Sequence, residues 1–98
     1  MSLEAREALN RHRDDVRRVV HKYGLANPRV FGSVARGDDH EFSDIDIMVD
    51  VLPTTTGFAL GAAYMELRDL LGVPLDLITS RQVPSGSRNR VLAEAVSV

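Results

Sequence analysis

Ninety-eight residues, 44% of them hydrophobic and 27% charged, make one domain (1–98) with a modest core, to which a ligand or partner can add stability. The net charge of −2 argues against a protein that coats nucleic acid by charge alone, and the absence of cysteine excludes disulfides and thiolate metal sites. The N-terminal run MSLEAREALNRHRDD has no long apolar stretch behind a basic segment, and no run approaches the roughly 18 apolar residues of a membrane span. The expectation is a cytoplasmic chain that does not enter a membrane.

In chain order, residues 3–23 read as one helix, with Leu9, Val16, Val19, Val20 and Tyr23 near one face, Ser2 as N-cap and Gly24 as the residue that stops it. A short strand is predicted around 29–31, entered through Asn27-Pro28. Gly32-Ser33 turns the chain into a short helix that Gly37 ends, and 38–41 form a polar loop. Residues 44–51, DIDIMVDV, alternate with period two. Ile45, Ile47, Val49 and Val51 fall on one face; Asp44, Asp46, Met48 and Asp50 fall on the other. A helix is predicted over 58–71, with Leu60, Tyr64, Leu67 and Leu71 on its buried stripe, Phe58, Ala62 and Met65 beside it, and Gly72 closing it. A third strand over 73–78 is interrupted by Asp76. A last helix is predicted over roughly 87–96, with Val91, Leu92 and Ala95 inward. The predicted class is α/β (α+β): a small three-stranded mixed sheet with helices packed on it.

Aspartate is depleted from strands, so Asp44 and Asp46 in one strand need a reason. Side chains two residues apart share a face, about 6.5–7 Å apart at Cα, and two such carboxylates suit a hard cation such as Mg²⁺. If the strand carrying Asp76 neighbours this one, three carboxylates meet, the arrangement that two-metal phosphoryl transfer uses. A strand ending in Gly-Ser and opening a helix aims backbone N–H groups outward, a ready anion site. Gly32 allows close backbone approach to a phosphate, and the Ser33 hydroxyl can donate to it. Phosphate at one end and metal-binding carboxylates at the other describe a nucleoside triphosphate held by its tail.

Gly32-Ser33, ten residues, then Asp44-x-Asp46 resembles the signature of the DNA polymerase beta-like nucleotidyltransferases. The longer run FGSVARG…SDIDIMVD is similar to the minimal nucleotidyltransferases, and VPLDLIT and RNRVLAEAV extend the likeness over nearly the whole chain. The resemblance implies that Gly32 and Ser33 bind the triphosphate and that Asp44, Asp46 and Asp76 hold Mg²⁺, with two ions expected. It also implies that Asp76 helps take the proton from the incoming hydroxyl. Arg36 can reach phosphate or pair with an aspartate to hold its loop. Ser43 can contact the ligand or bond local backbone. The implied activity is transfer of AMP from ATP to a hydroxyl, a tyrosine, of a HEPN-domain RNase toxin encoded next door, which makes the chain an antitoxin. The alternative is an antitoxin that works by binding its toxin, with little or no catalysis. A homo-oligomer is compatible with either.

Simpler readings stand beside these. A lone DxD also fits a solvated strand face, and Gly32-Ser33 also fits an ordinary turn and helix cap. Asp50 reads as a solvated residue near the strand's end, and His12, His21 and His40 as surface residues without metal-ligand spacing.

Overall fold

The N-terminal apolar stripe folds as helix in two pieces. The computed structural model, which describes residues 2–32 and 45–98, has α1 at Ser2–Arg11 and α2 at Arg13–Lys22. His12 between them has φ −116° and ψ 21°, outside the helical region. Hydrogen bonds nevertheless run across it, from His12 N–H to the Ala8 and Leu9 carbonyls and from Val16 N–H to the His12 carbonyl. The single helix expected over 3–23 is therefore divided, and the imidazole of His12 meets Asp15 one turn into α2 (Nδ1–Oδ2 3.1 Å). Both pieces still bury their apolar faces in one core, through Ala8 and Leu9 on α1 and Val16, Val19 and Val20 on α2. Gly24, at φ 72°, takes the left-handed conformation that stops α2.

Strand β1 is Leu25–Phe31, longer than predicted. Asn27 and Pro28 lie inside it, not ahead of it. The register with β2 (Ile45–Val51) shifts between Ala26 and Arg29, and Asn27 has φ 51°. A bulge absorbs the proline, which has no N–H to give to the ladder. β2 also pairs in parallel with β3, Leu75–Thr79. A parallel pair requires a crossover, and α3 (Ala59–Leu71) supplies it. Ile45, Ile47 and Val49 of β2 pack with Leu25, Val30, Leu75 and Leu77 against α1, α2 and α3.

The stripe of α3 is rotated from the expected one. Its buried residues are Ala59, Ala63, Leu67 and Leu71, while Leu60 and Tyr64 pack at the edge. Phe58 is 88% exposed and Met65 60% exposed. The two alanines let the helix approach the sheet closely, which a stripe of larger residues would prevent.

After β3 a 3₁₀ turn at Ser80–Gln82, closed by a Thr79–Gln82 capping box, leads to α4 (Ser85–Glu94) and a strand β4, Val96–Ser97. The mixed α/β class is as expected, but the sheet has four strands in the order β3-β2-β1-β4. β4 adds Val96 opposite Val30 and Ser97 opposite Arg29, and Arg17 donates to the Val98 carbonyl at 2.6 Å. Two residues are too few to show a period of two, so β4 leaves no trace in the sequence pattern. α4 lies on the sheet face away from α1–α3 and buries no residue fully; Leu92, expected inward, is 46% exposed. Among the described residues no helix is long and apolar enough to cross a membrane.

Candidate active site

The alternation in β2 sorts its side chains as the pattern requires. Ile45, Ile47 and Val49 enter the core, and Asp46, Met48 and Asp50 take the α4 face. On that face the register of three strands sets the neighbours of Asp46. Phe31 of β1 pairs with Asp46 across the antiparallel ladder, and Asp76 of β3 pairs with Asp46 across the parallel one. Partners in register project to the same side from strands roughly 4.8 Å apart. Two carboxylates therefore stand side by side, Asp46 half-buried and Asp76 exposed. Like charges directly opposite each other in a sheet destabilise it unless a cation lies between them.

Gly32 closes the other side. It has φ +76°, and a Cβ placed there would lie 2.4 Å from Asp46 Oδ2 and 3.3 Å from its Cγ. The residue must be glycine for two reasons: its backbone is left-handed, and the Asp46 carboxylate occupies the space a side chain would need. The glycine turn and the carboxylate strand are thus one packed unit, built from Gly32, Asp46 and Asp76. Ser33, Arg36, Ser43 and Asp44, also expected at the site, lie outside the described residues, as does His40.

Asp50, four residues along the same face, has a different setting from the solvated one expected. Arg29 Nη2 donates to Asp50 Oδ1 at 3.0 Å, and Asn27 Nδ2 donates to Oδ2 at 2.8 Å. Burial alone would raise the Asp50 carboxyl. Hydrogen bonds from Asn27, Arg29 and Ser80, with the Arg29 charge, outweigh burial and hold it below the usual carboxylate range. Met48, between the two aspartates, is fully buried.

Helix α4 brings to this face two arginines, Arg88 and Arg90, that the sequence pattern did not mark as functional. Arg88 and Leu92 border a cavity of about 310 Å³ together with Arg29, Met48, Asp50 and Ser80. Nearer Gly32, a cavity of about 560 Å³ is bounded by Phe31, Gly32, Arg90, Val91 and Glu94. The one available signal for Arg88 and Arg90 was the RNR run in an otherwise ordinary amphipathic stretch. Among the described residues no three His, Cys, Asp or Glu side chains group as a metal site, and Asp46 and Asp76 stand as a pair.

Residues 9–98 match the family model described as the nucleotidyltransferase domain. The chain is 35% identical over 97 residues to the protein adenylyltransferase MntA of Thermococcus cleftensis, covering 97% of this chain and 93% of that one. A solved structure described as a candidate minimal nucleotidyltransferase is 34% identical, covers 95% of each chain, and superposes with a TM-score of 0.85. A toxin–antitoxin structure with AMP-PNP shares the fold, with a TM-score of 0.70 at 23% identity over 86% of this chain and 69% of that one.

Proposed function

The chain belongs to the nucleotidyltransferase domain family and is a nucleotidyltransferase, and on that premise we propose that it transfers AMP from ATP to a hydroxyl of a partner protein. The acceptor in this reading is a tyrosine of a HEPN-domain RNase toxin, and the modification silences it. The observation that carries the reading is the register of Asp46 against Asp76, with Gly32 packed on the Asp46 carboxylate. The name of the Thermococcus cleftensis relative supports a protein as acceptor, and the toxin–antitoxin structure motivates a toxin as the partner.

The donor set fits Mg²⁺. It consists of carboxylate oxygens from adjacent strands, with neither thiolate nor imidazole, which is the chemistry a hard cation selects. Asp46 and Asp76, joined by Asp44, would hold the metal. When bound, it would neutralise charge on the phosphates and favour departure of pyrophosphate. Gly32 and Ser33 grip the triphosphate through backbone N–H groups and the serine hydroxyl. The acceptor oxygen attacks the α-phosphorus, the bond from that phosphorus to the bridging oxygen breaks, and pyrophosphate leaves. The proton of the acceptor hydroxyl passes to the Asp76 carboxylate, which is exposed and so accessible to a partner's side chain.

The test is to incubate the protein with α-labelled ATP, Mg²⁺ and the product of the neighbouring gene. Label should reach the partner with the wild type and not with Asp46→Asn or Asp76→Asn. Label that still arrives with both variants, or never arrives with the wild type, overturns the reading. A partner that stays inhibited by the inactive variants, and only while complexed, would favour inhibition by binding.

A further inference from the structure

Strand β4 has a consequence for the site that the family motif does not contain. It follows α4 directly and sets Val96 opposite Val30, next to Phe31. The C-terminal end of α4 is therefore drawn to the Phe31–Gly32 end of β1, where the carboxylates lie. Arg90, Val91 and Glu94 become one wall of the 560 Å³ cavity whose other wall is Phe31 and Gly32. That volume lies within the range of small-molecule sites, about 300–1,000 Å³. Arg90 is the cation among the described residues lining it, and it has no hydrogen bond or ion pair to another described residue. Arg29 and Arg17, by contrast, are engaged with Asp50 and with the Val98 carbonyl. Glu94 sits one helical turn beyond Arg90, so the wall carries a cation and then an anion.

We infer that Arg90 is a further nucleotide-positioning residue, whose guanidinium binds the phosphate tail of the nucleoside triphosphate gripped at Gly32. The inference rests on the nucleotidyltransferase reading of the site and adds to it a residue from a separate element, α4. The planar guanidinium forks onto phosphate oxygens, and the contact draws the tail toward the Gly32 side of the cavity. Arg90 touches neither the α-phosphorus nor the acceptor in this arrangement, so it acts on binding of ATP and not on the chemical step.

Calorimetric titration with Mg²⁺ and either AMP-PNP or AMP tests the assignment without any partner or any turnover. Arg90→Ala should weaken AMP-PNP about tenfold, the scale of a lost charge-assisted hydrogen bond, and leave AMP nearly unchanged. Arg90→Lys should recover part of the loss and Arg90→Glu should deepen it, an order that a purely structural role would not follow. In transfer assays the KM for ATP should rise while kcat holds. Wild-type affinity for AMP-PNP in Arg90→Ala overturns the inference alone, and so does an equal loss for AMP and AMP-PNP, which would mean a contact to the nucleoside. A wild type that binds neither nucleotide overturns the reading of the site itself.

Discussion

The two ends of β2 carry the same residue type on the same sheet face and treat it in opposite ways. At one end Asp50 meets Arg29 at 3.0 Å and Asn27 at 2.8 Å, so its charge is matched. At the other end Asp46 meets a second carboxylate, Asp76, across the ladder and a glycine packed against its own oxygen. A strand pattern that puts both aspartates on one face cannot separate these roles. The neighbours on β1 and β3 do: arginine and asparagine make an anchor, whereas aspartate and glycine set two carboxylates side by side, an arrangement that suits a hard cation. Placing charge beside like charge lowers stability, and such placements concentrate at functional sites.

The contrast predicts a graded series of effects. The largest falls at the Asp46 end, where Asp46→Asn or Asp76→Asn should cut transfer by about 10³-fold, the scale of losing a preorganised charge stabiliser. Chain folding, followed by circular dichroism, should be retained in both. Next is Gly32→Ala, whose Cβ would stand 2.4 Å from Asp46 Oδ2 on a backbone at φ +76°. It should destabilise the fold by about 1–3 kcal/mol and depress transfer with it, read by urea denaturation and by the labelling assay. Wild-type stability and activity in this variant would mean that the turn and the carboxylate are not one unit.

The Asp50 end should respond in stability and not in chemistry. Asp50→Asn should cost about 1 kcal/mol, because roughly a third of the side chain remains in water and screens the pair. Transfer by the folded protein should stay near the wild-type rate. Loss of transfer without loss of stability would place Asp50 in the reaction and erase the contrast. The smallest effect is in the pH profile. The Asp50 carboxyl is held below its ordinary value of 3.8, so the stability it contributes is fully present above that value. It is lost as pH falls through the lower folded value, because the unfolded chain then binds the proton more readily. The urea midpoint of the wild type should therefore fall more steeply below about pH 4 than that of Asp50→Asn. Parallel profiles would show that Arg29 and Asn27 do not hold the group in solution.

Much of this arrangement was legible in the residues. Period two over 45–51 assigned every side chain of β2 to its face, and Gly24 and Gly72 marked helix ends that the left-handed backbone confirms. Local steric rules act within a few residues, so a local pattern carries them. The errors share a cause. The bulge at Asn27-Pro28, the break at His12, the two-residue β4 and the rotation of α3 onto Ala59 and Ala63 all depend on what packs against the element, and propensity carries no record of that. Helical period placed Leu92 inward and Phe58 beside the buried stripe, yet both are exposed.

By itself the sequence determined the alternating faces of β2, the positions of Asp46 and Asp76 within their strands, and the need for glycine at a turn ahead of them. These follow from backbone geometry and side-chain period. Only the tertiary structure decided that β2 and β3 lie side by side in the register that pairs Asp46 with Asp76, and that Asp50 answers to Arg29. It also decided that β4 pulls Arg90 toward Gly32. Register across strands is set by burial of the opposite face, where Ile45, Ile47, Leu75 and Leu77 must meet α1–α3, and a slip of one residue would turn every aspartate into the core.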